Sequence, residues 1–172
     1  MKKSKCMALL LLCLLCLLSS CGKSPAKVNK KEKALPLGDK MTTGEQALTK
    51  GDFSLSVDME TAQVFLKDPT GKVWRSNPEN SADDPFAKGI GKTRIESQLS
   101  ITYLSKDGVV ESTNTRSASV MDSDFVWYKY EDTVTCLYHM ASEGLTVPLS
   151  YTLNDSGLQV TIPVEQIGRA HV

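Results

Sequence analysis

From Phe53 onward the chain alternates apolar and polar residues with a period of two, and that period permits little except half-buried strands. Phe53, Leu55, Val57 and Met59 alternate with Ser54, Ser56 and Asp58. Ile95, Leu99, Ile101 and Tyr103 form a second row, then Val134, Cys136, Tyr138 and Met140. Leu145, Val147, Leu149, Tyr151 and Leu153 follow, then Leu158, Val160, Ile162 and Val164. Weaker strands are predicted at 63–67, 72–76, 109–121 and 124–130. Turn chemistry separates the rows, at Asp68-Pro69-Thr70-Gly71, Lys106-Asp107-Gly108 and Asn154-Asp155-Ser156-Gly157. No stretch after residue 50 holds a helical period over three turns. Short strands with one apolar face and close turns predict an all-β domain, an antiparallel β-sandwich, over residues 51–166. Pro148 and Pro163 are predicted on the outer faces of their strands, which suits edges or bulges.

The chain begins differently. Lys2, Lys3 and Lys5 precede an unbroken apolar run from Met7 to Leu18, followed by Ser19, Ser20 and Cys21. Basic start, short apolar run and small residues make a secretory signal peptide over 1–20. As a helix the run reaches only about 18 Å at 1.5 Å per residue, against a hydrocarbon core of about 30 Å. Leu18-Ser19-Ser20-Cys21 resembles the bacterial lipobox, which implies cleavage before Cys21 and its lipidation. The expected location is extracytoplasmic, with membrane lipid held through Cys21. With Cys6, Cys13 and Cys16 in the signal, Cys136 is the remaining thiol, so neither an internal disulfide framework nor a Cys/His zinc site is expected. No cofactor is expected.

Residues 22–50 carry seven Lys against Glu32, Asp39 and Glu45 and show no sustained period. The expectation is a disordered, solvated tether, the lipidated Cys and linker together covering 21–50. A flexible coil of that length spans roughly 30 Å. The formal net charge of zero is thus an average over unlike parts. Residues 51–172 hold ten Lys and Arg against seventeen Asp and Glu. An acidic domain on a basic tether argues against a nucleic-acid partner. At the other end, Ile167-Gly168-Arg169-Ala170-His171-Val172 resembles the translation of a widely used short-read sequencing adapter. That resemblance implies that residues 167–172 are read-through and that the native gene continues beyond about Gln166.

Three segments are distinctive: Lys72-Val73-Trp74-Arg75-Ser76-Asn77-Pro78, Asp84-Pro85-Phe86-Ala87-Lys88-Gly89 and Ser97-Gln98-Leu99. Together they resemble a family of uncharacterised Gram-positive surface lipoproteins that carry a domain of unknown function. The resemblance implies a β-sandwich followed by a barrel like those of glycoside hydrolases, and a role in handling cell-surface glycan. It implies that this chain is the truncated N-terminal part, with a missing C-terminal domain as a partner. No catalytic residue of the family has a counterpart to carry over.

Candidate sites follow from side-chain chemistry. The 77–92 loop offers hard oxygen donors, Asn77, Glu79, Asn80, Asp83 and Asp84, suited to calcium but without an EF-hand spacing. Asn and Asp capping turns explain the same residues. Gly89-Ile90-Gly91-Lys92-Thr93 lacks the first glycine of a phosphate loop, Phe86 standing there instead. Trp74, Trp127, Tyr128 and Tyr130 could stack on sugar rings, although alternation must turn some of them into the core. Cys136 lies on an apolar face and His139 on the opposite one, which disfavours a nucleophile–base pair. The pairs Asp83/Asp84, Asp122/Asp124 and Glu131/Asp132 read as solvated turns, since a glycosidase pair is defined in space. The expected function is a lipid-anchored, non-catalytic accessory module with a possible cell-surface carbohydrate ligand. The alternatives are a structural or partner-docking lipoprotein and a calcium-dependent enzyme domain using the 77–92 loop.

Overall fold

A computed structural model describes residues 36–169. The leader, the lipidation site and residues 22–35 of the tether lie outside the described residues. Among the described residues twelve strands run β1 (Asp39–Lys40), β2 (Leu48–Lys50), β3 (Phe53–Val57), β4 (Val64–Lys67), β5 (Val73–Arg75), β6 (Ser100–Leu104) and β7 (Val110–Asn114), then β8 (Phe125–Tyr130), β9 (Thr133–Met140), β10 (Leu145–Asn154), β11 (Gly157–Thr161) and β12 (Gly168–Arg169). Between β5 and β6 sit a 3-10 turn, Ser81–Asp83, and a short α-helix, α1 (Ile90–Ile95). Among the described residues no helix is long and apolar enough to cross a membrane.

All pairings are antiparallel. The large sheet has the order β1-β8-β9-β10-β11, with β12 also on β10. A second sheet has the order β2-β3-β4-β5, and β6 with β7 makes a separate ribbon. One apolar cluster joins the two larger sheets. Leu48, Leu55, Val57 and Val64 from one meet Trp127, Val134, Cys136, Tyr138, Leu149, Tyr151 and Leu153 from the other. This is the all-β sandwich the alternation predicts. The register is pinned by cross-strand rows: Leu48, Leu55, Leu66 and Trp74 oppose one another in turn. Trp127, Cys136 and Leu149 do the same in the large sheet.

Asp and Asn side chains close the hairpins by accepting bonds from backbone amides. Asp58 Oδ1 accepts from the amides of Glu60 (2.7 Å) and Thr61 (2.9 Å). Asn154 Oδ1 accepts from Ser156 N at 2.9 Å.

Four sequence expectations are corrected. The fold begins before residue 51: β1 and β2 come from the supposed tether, and Ala47 and Leu48 are buried in the core. Two glycines allow this. A Cβ on Gly44 would stand 1.7 Å from Val57 O, and one on Gly38 would stand 2.1 Å from Lys129 O. The composition signals a tether, yet tight backbone approach at glycine docks it. Second, Ile95 ends α1 rather than opening a strand. Third, the strand predicted at 109–121 stops at Asn114, and Arg116–Val120 form a π-helical turn. Here side chains take up backbone groups a ladder would use: Thr115 Oγ1 accepts from Gln98 N, Ser97 Oγ from Arg116 N and Asn114 Oδ1 from Ser117 N. Fourth, Pro148 is buried within β10 and not at the sheet's rim. β11 pairs only from Ser150 and β12 only to Thr146, so strand neighbours flank Pro148 on the β9 side alone. Its missing N–H is tolerated there for the reason it is tolerated at an edge.

The docked N-terminal segment can be tested by truncation. A chain beginning at Gly51 loses the burial of Ala47 and Leu48, a full leucine alone being worth about 1.5–3 kcal/mol. Urea unfolding should show it less stable than a chain beginning at residue 36 by about 3 kcal/mol or more. Equal midpoints and slopes would restore the tether to its solvated role.

Candidate functional site

The β4–β5 hairpin turns through Asp68-Pro69-Thr70-Gly71, and the Asp68 carboxylate organises it. Oδ1 accepts from Thr70 N (2.9 Å), Thr70 Oγ1 (2.6 Å) and Lys72 N (3.1 Å). Oδ2 accepts from the indole Nε1 of Trp74 at 3.0 Å. The indole is therefore held from its edge by a charge-assisted bond. Lys72 Nζ lies 3.6 Å from the ring centroid, a cation–π contact. Trp74 is 52% exposed although it belongs to the core-facing row of Leu48, Leu55 and Leu66. The row simply runs past the end of the core, which leaves a flat apolar surface in fixed orientation at the rim. On the opposite face of the sheet, the Arg75 guanidinium sits 5.2 Å from the Phe65 ring and pairs with Glu79 at 3.3 Å.

The Thr70 hydroxyl, and after it the Trp74 indole, hold the Asp68 carboxyl at about 2, below the usual carboxylate range. A depressed folded-state value means the hairpin gains from ionised Asp68 at pH above the unfolded value. The gain fades as pH falls from there toward about 2.

The other predicted stacking residues lie elsewhere. Trp127 is 1% exposed, packed against Tyr151 at 5.9 Å between ring centroids, with its indole N–H unpaired among the described residues. It is core and not platform. Tyr128 is half-buried and Tyr130 exposed, on the outer face of β8 in the large sheet. The four aromatics thus divide between two sheets and do not form one surface.

The loop from Asn77 onward is held together by its own hydrogen bonds. Asn77 is buried, with Nδ2 donating to Ile95 O (3.0 Å) and Ser97 O (3.3 Å). Its Oδ1 accepts from Ser76 Oγ at 2.8 Å and from Gln98 Nε2. Gln98 Oε1 in turn accepts from Tyr151 OH at 3.2 Å, so the network reaches β10. Ser97 Oγ accepts from Arg116 N (2.9 Å) and donates to Asn114 Oδ1 (2.7 Å). Gln98 N donates to Thr115 Oγ1 at 2.9 Å. These residues of the distinctive segments are a structural bracket. Asn80 has a left-handed φ of 62°, and Asp84 Oδ1 caps the amides of Phe86 (2.8 Å) and Ala87 (3.2 Å). Glu79 is occupied by Arg75. Among the described residues no three His, Cys, Asp or Glu gather into a metal-sized group.

Cys136 is fully buried, and burial pushes its thiol up. His139 lies on the other face of β9, with Nδ1 3.2 Å from Thr146 Oγ1. Sequence reasoning missed two features. Lys72 and Asp68 flank Trp74, which the turn followed six residues later by tryptophan could have signalled. An open cleft of about 590 Å³ is lined by Thr43, Glu45, Gln46 and Ser56, three of them in the supposed tether.

The indole resonance reports the Asp68 bond directly. The Trp74 Nε1–H proton signal should move as pH falls through about 2, hold still between pH 5 and 8, and lose that titration in Asp68→Asn. A midpoint near 4 would mean the bond is not formed. Asn77→Ala should cost about 1–3 kcal/mol in urea unfolding, because it leaves buried partners unmatched. Asp83→Ala, on the exposed part of the loop, should stay within about 0.5 kcal/mol. No family model, no curated protein and no solved structure matches the chain.

Proposed function

We propose that this chain is a lipid-anchored extracytoplasmic sandwich module that binds cell-surface glycan without catalysing a reaction. The anchor rests on the leader and the Leu18-Ser19-Ser20-Cys21 box. The glycan reading rests on one observation, the half-exposed indole of Trp74 fixed at the sandwich rim by Asp68. A rigid aromatic face costs little entropy to use, and flat apolar faces suit pyranose rings. The turn, the ion–π contact and the edge strand hold it without help from a ligand. A non-catalytic role agrees with the positions of the reactive groups, since Cys136 packs in the core and Asp84 caps a turn.

A docking role has its own support. Val160, Ile162 and Val164 are exposed along the β11 margin and the segment after it. Val160 stands opposite Tyr151 and so extends the core face beyond its cover, as Trp74 does on the other sheet. A partner domain seated there would bury an apolar strip. Ile162→Ser with Val164→Ser would weaken such docking and leave glycan binding intact.

Two measurements test the main reading. Cys21→Ser should move the protein from the membrane fraction to the soluble extracytoplasmic fraction; unchanged membrane retention contradicts the anchor. Trp74→Ala should weaken retention on purified cell-wall polysaccharide by about tenfold or more, equivalent to about 1.4 kcal/mol. Equal retention of Trp74→Ala and the native chain contradicts the glycan site.

A further inference from the structure

We propose that the Trp74 site is selective for acidic sugars, specifically pyranose units carrying a carboxylate, with Lys72 as the specificity-determining residue. The inference rests on the glycan reading above and adds the ligand's charge. Four observations carry it. First, the folded domain is acidic overall, yet residues 64–75 hold Lys67, Lys72 and Arg75 against Asp68 alone. Second, that one carboxylate is engaged on both oxygens by Thr70, Lys72 N and Trp74, so it is committed to holding the indole. Third, the Lys72 ammonium has no carboxylate within ion-pair distance among the described residues, whereas Arg75 has Glu79. Fourth, Lys72 Nζ sits directly over the indole, 3.6 Å from its centroid.

Ring and cation therefore form one composite surface, an apolar plate that carries a mobile positive charge on its face. A pyranose that stacks on the indole brings its ring substituents next to that ammonium. A neutral hydroxymethyl group gains only an ordinary hydrogen bond there. A carboxylate at the same carbon gains a charge-assisted bond, at a hairpin that is locally basic within an otherwise acidic domain. The lysine stem is long enough to leave the ring and follow the anion, since four methylenes link Nζ to the backbone. Recognition of this kind is salt-sensitive, because both partners are exposed to solvent.

Paired oligosaccharides isolate the charge from the sugar. Oligomers of galacturonate, glucuronate and mannuronate, each as the free acid and as its methyl ester, would be titrated into the native chain by calorimetry at low and at physiological salt. The expected result is at least fivefold tighter binding of one free acid than of its own ester, with the difference shrinking as salt rises. Lys72→Gln should erase that difference; Trp74→Ala should abolish binding of both forms. Thermal unfolding of each variant checks that the fold is intact. Equal affinity for acid and ester overturns the acidic-sugar inference and leaves the glycan reading standing. Binding of neither form of any oligomer overturns both. A preference that survives in Lys72→Gln assigns the selectivity away from Lys72 and overturns the inference as stated.

Discussion

The apolar faces of the two sheets are wider than the region in which each covers the other, and that mismatch governs the molecule. Where the sheets overlap, Leu55, Val134, Cys136 and Tyr138 are wholly buried. At the margins the same rows continue without cover, ending in Trp74 on one sheet and Val160 on the other. A truncation such as Leu55→Ala would cost about 2–5 kcal/mol at the centre of this arrangement. At the rim, by contrast, apolar area is available for recognition. The core and the candidate site are thus two ends of one cross-strand row.

Polar residues decide how that row ends. Asp68 fixes the hairpin and aims the indole; the Asn77–Gln98–Tyr151 relay ties the following segment back to the large sheet. Helix α1 has six residues and no side-chain cap, far too few to persist alone. Contacts from Asn77, Ser97 and Asn114 hold it in place. Buried amides and hydroxyls of this kind specify one arrangement because leaving any of them unmatched is costly. Asn77, Glu79 and Asp84 of the loop that looks most like a ligand site in sequence are thus engaged within the fold, while the Trp74 indole on the neighbouring hairpin stays half-exposed.

Much of the sandwich is legible in the sequence because period-two burial leaves a direct trace. The rows from Val134 to Met140 and from Leu145 to Leu153 need no structural help to read. The placement of Cys136 inside and His139 outside follows from parity alone. What the sequence hides has a different cause in each case. Residues 36–50 have the composition of a tether, and their docking depends on close approaches at Gly38 and Gly44 that no periodicity encodes. The switch to helix at Ile90 and the π-helical turn at Arg116 depend on hydrogen bonds between residues some twenty apart, such as Asn77 with Ser97. Trp74 and Trp127 both read as strand aromatics. Only the pairing order, with β5 at an edge and β8 inside a sheet, separates the exposed ring from the buried one.

That separation allows the account to be tested on the native side chains. With two tryptophans in the chain, Trp127→Phe leaves an emission that reports Trp74 alone, and Trp74→Phe leaves one that reports Trp127 alone. Added acidic oligosaccharide should change the Trp74 emission in a saturable way and protect it from acrylamide, with Trp127 emission blue-shifted and unresponsive throughout. A saturable response from Trp127, or ligand binding with Trp74 still fully open to quencher, would contradict the claim that the uncovered end of the core row is the binding surface.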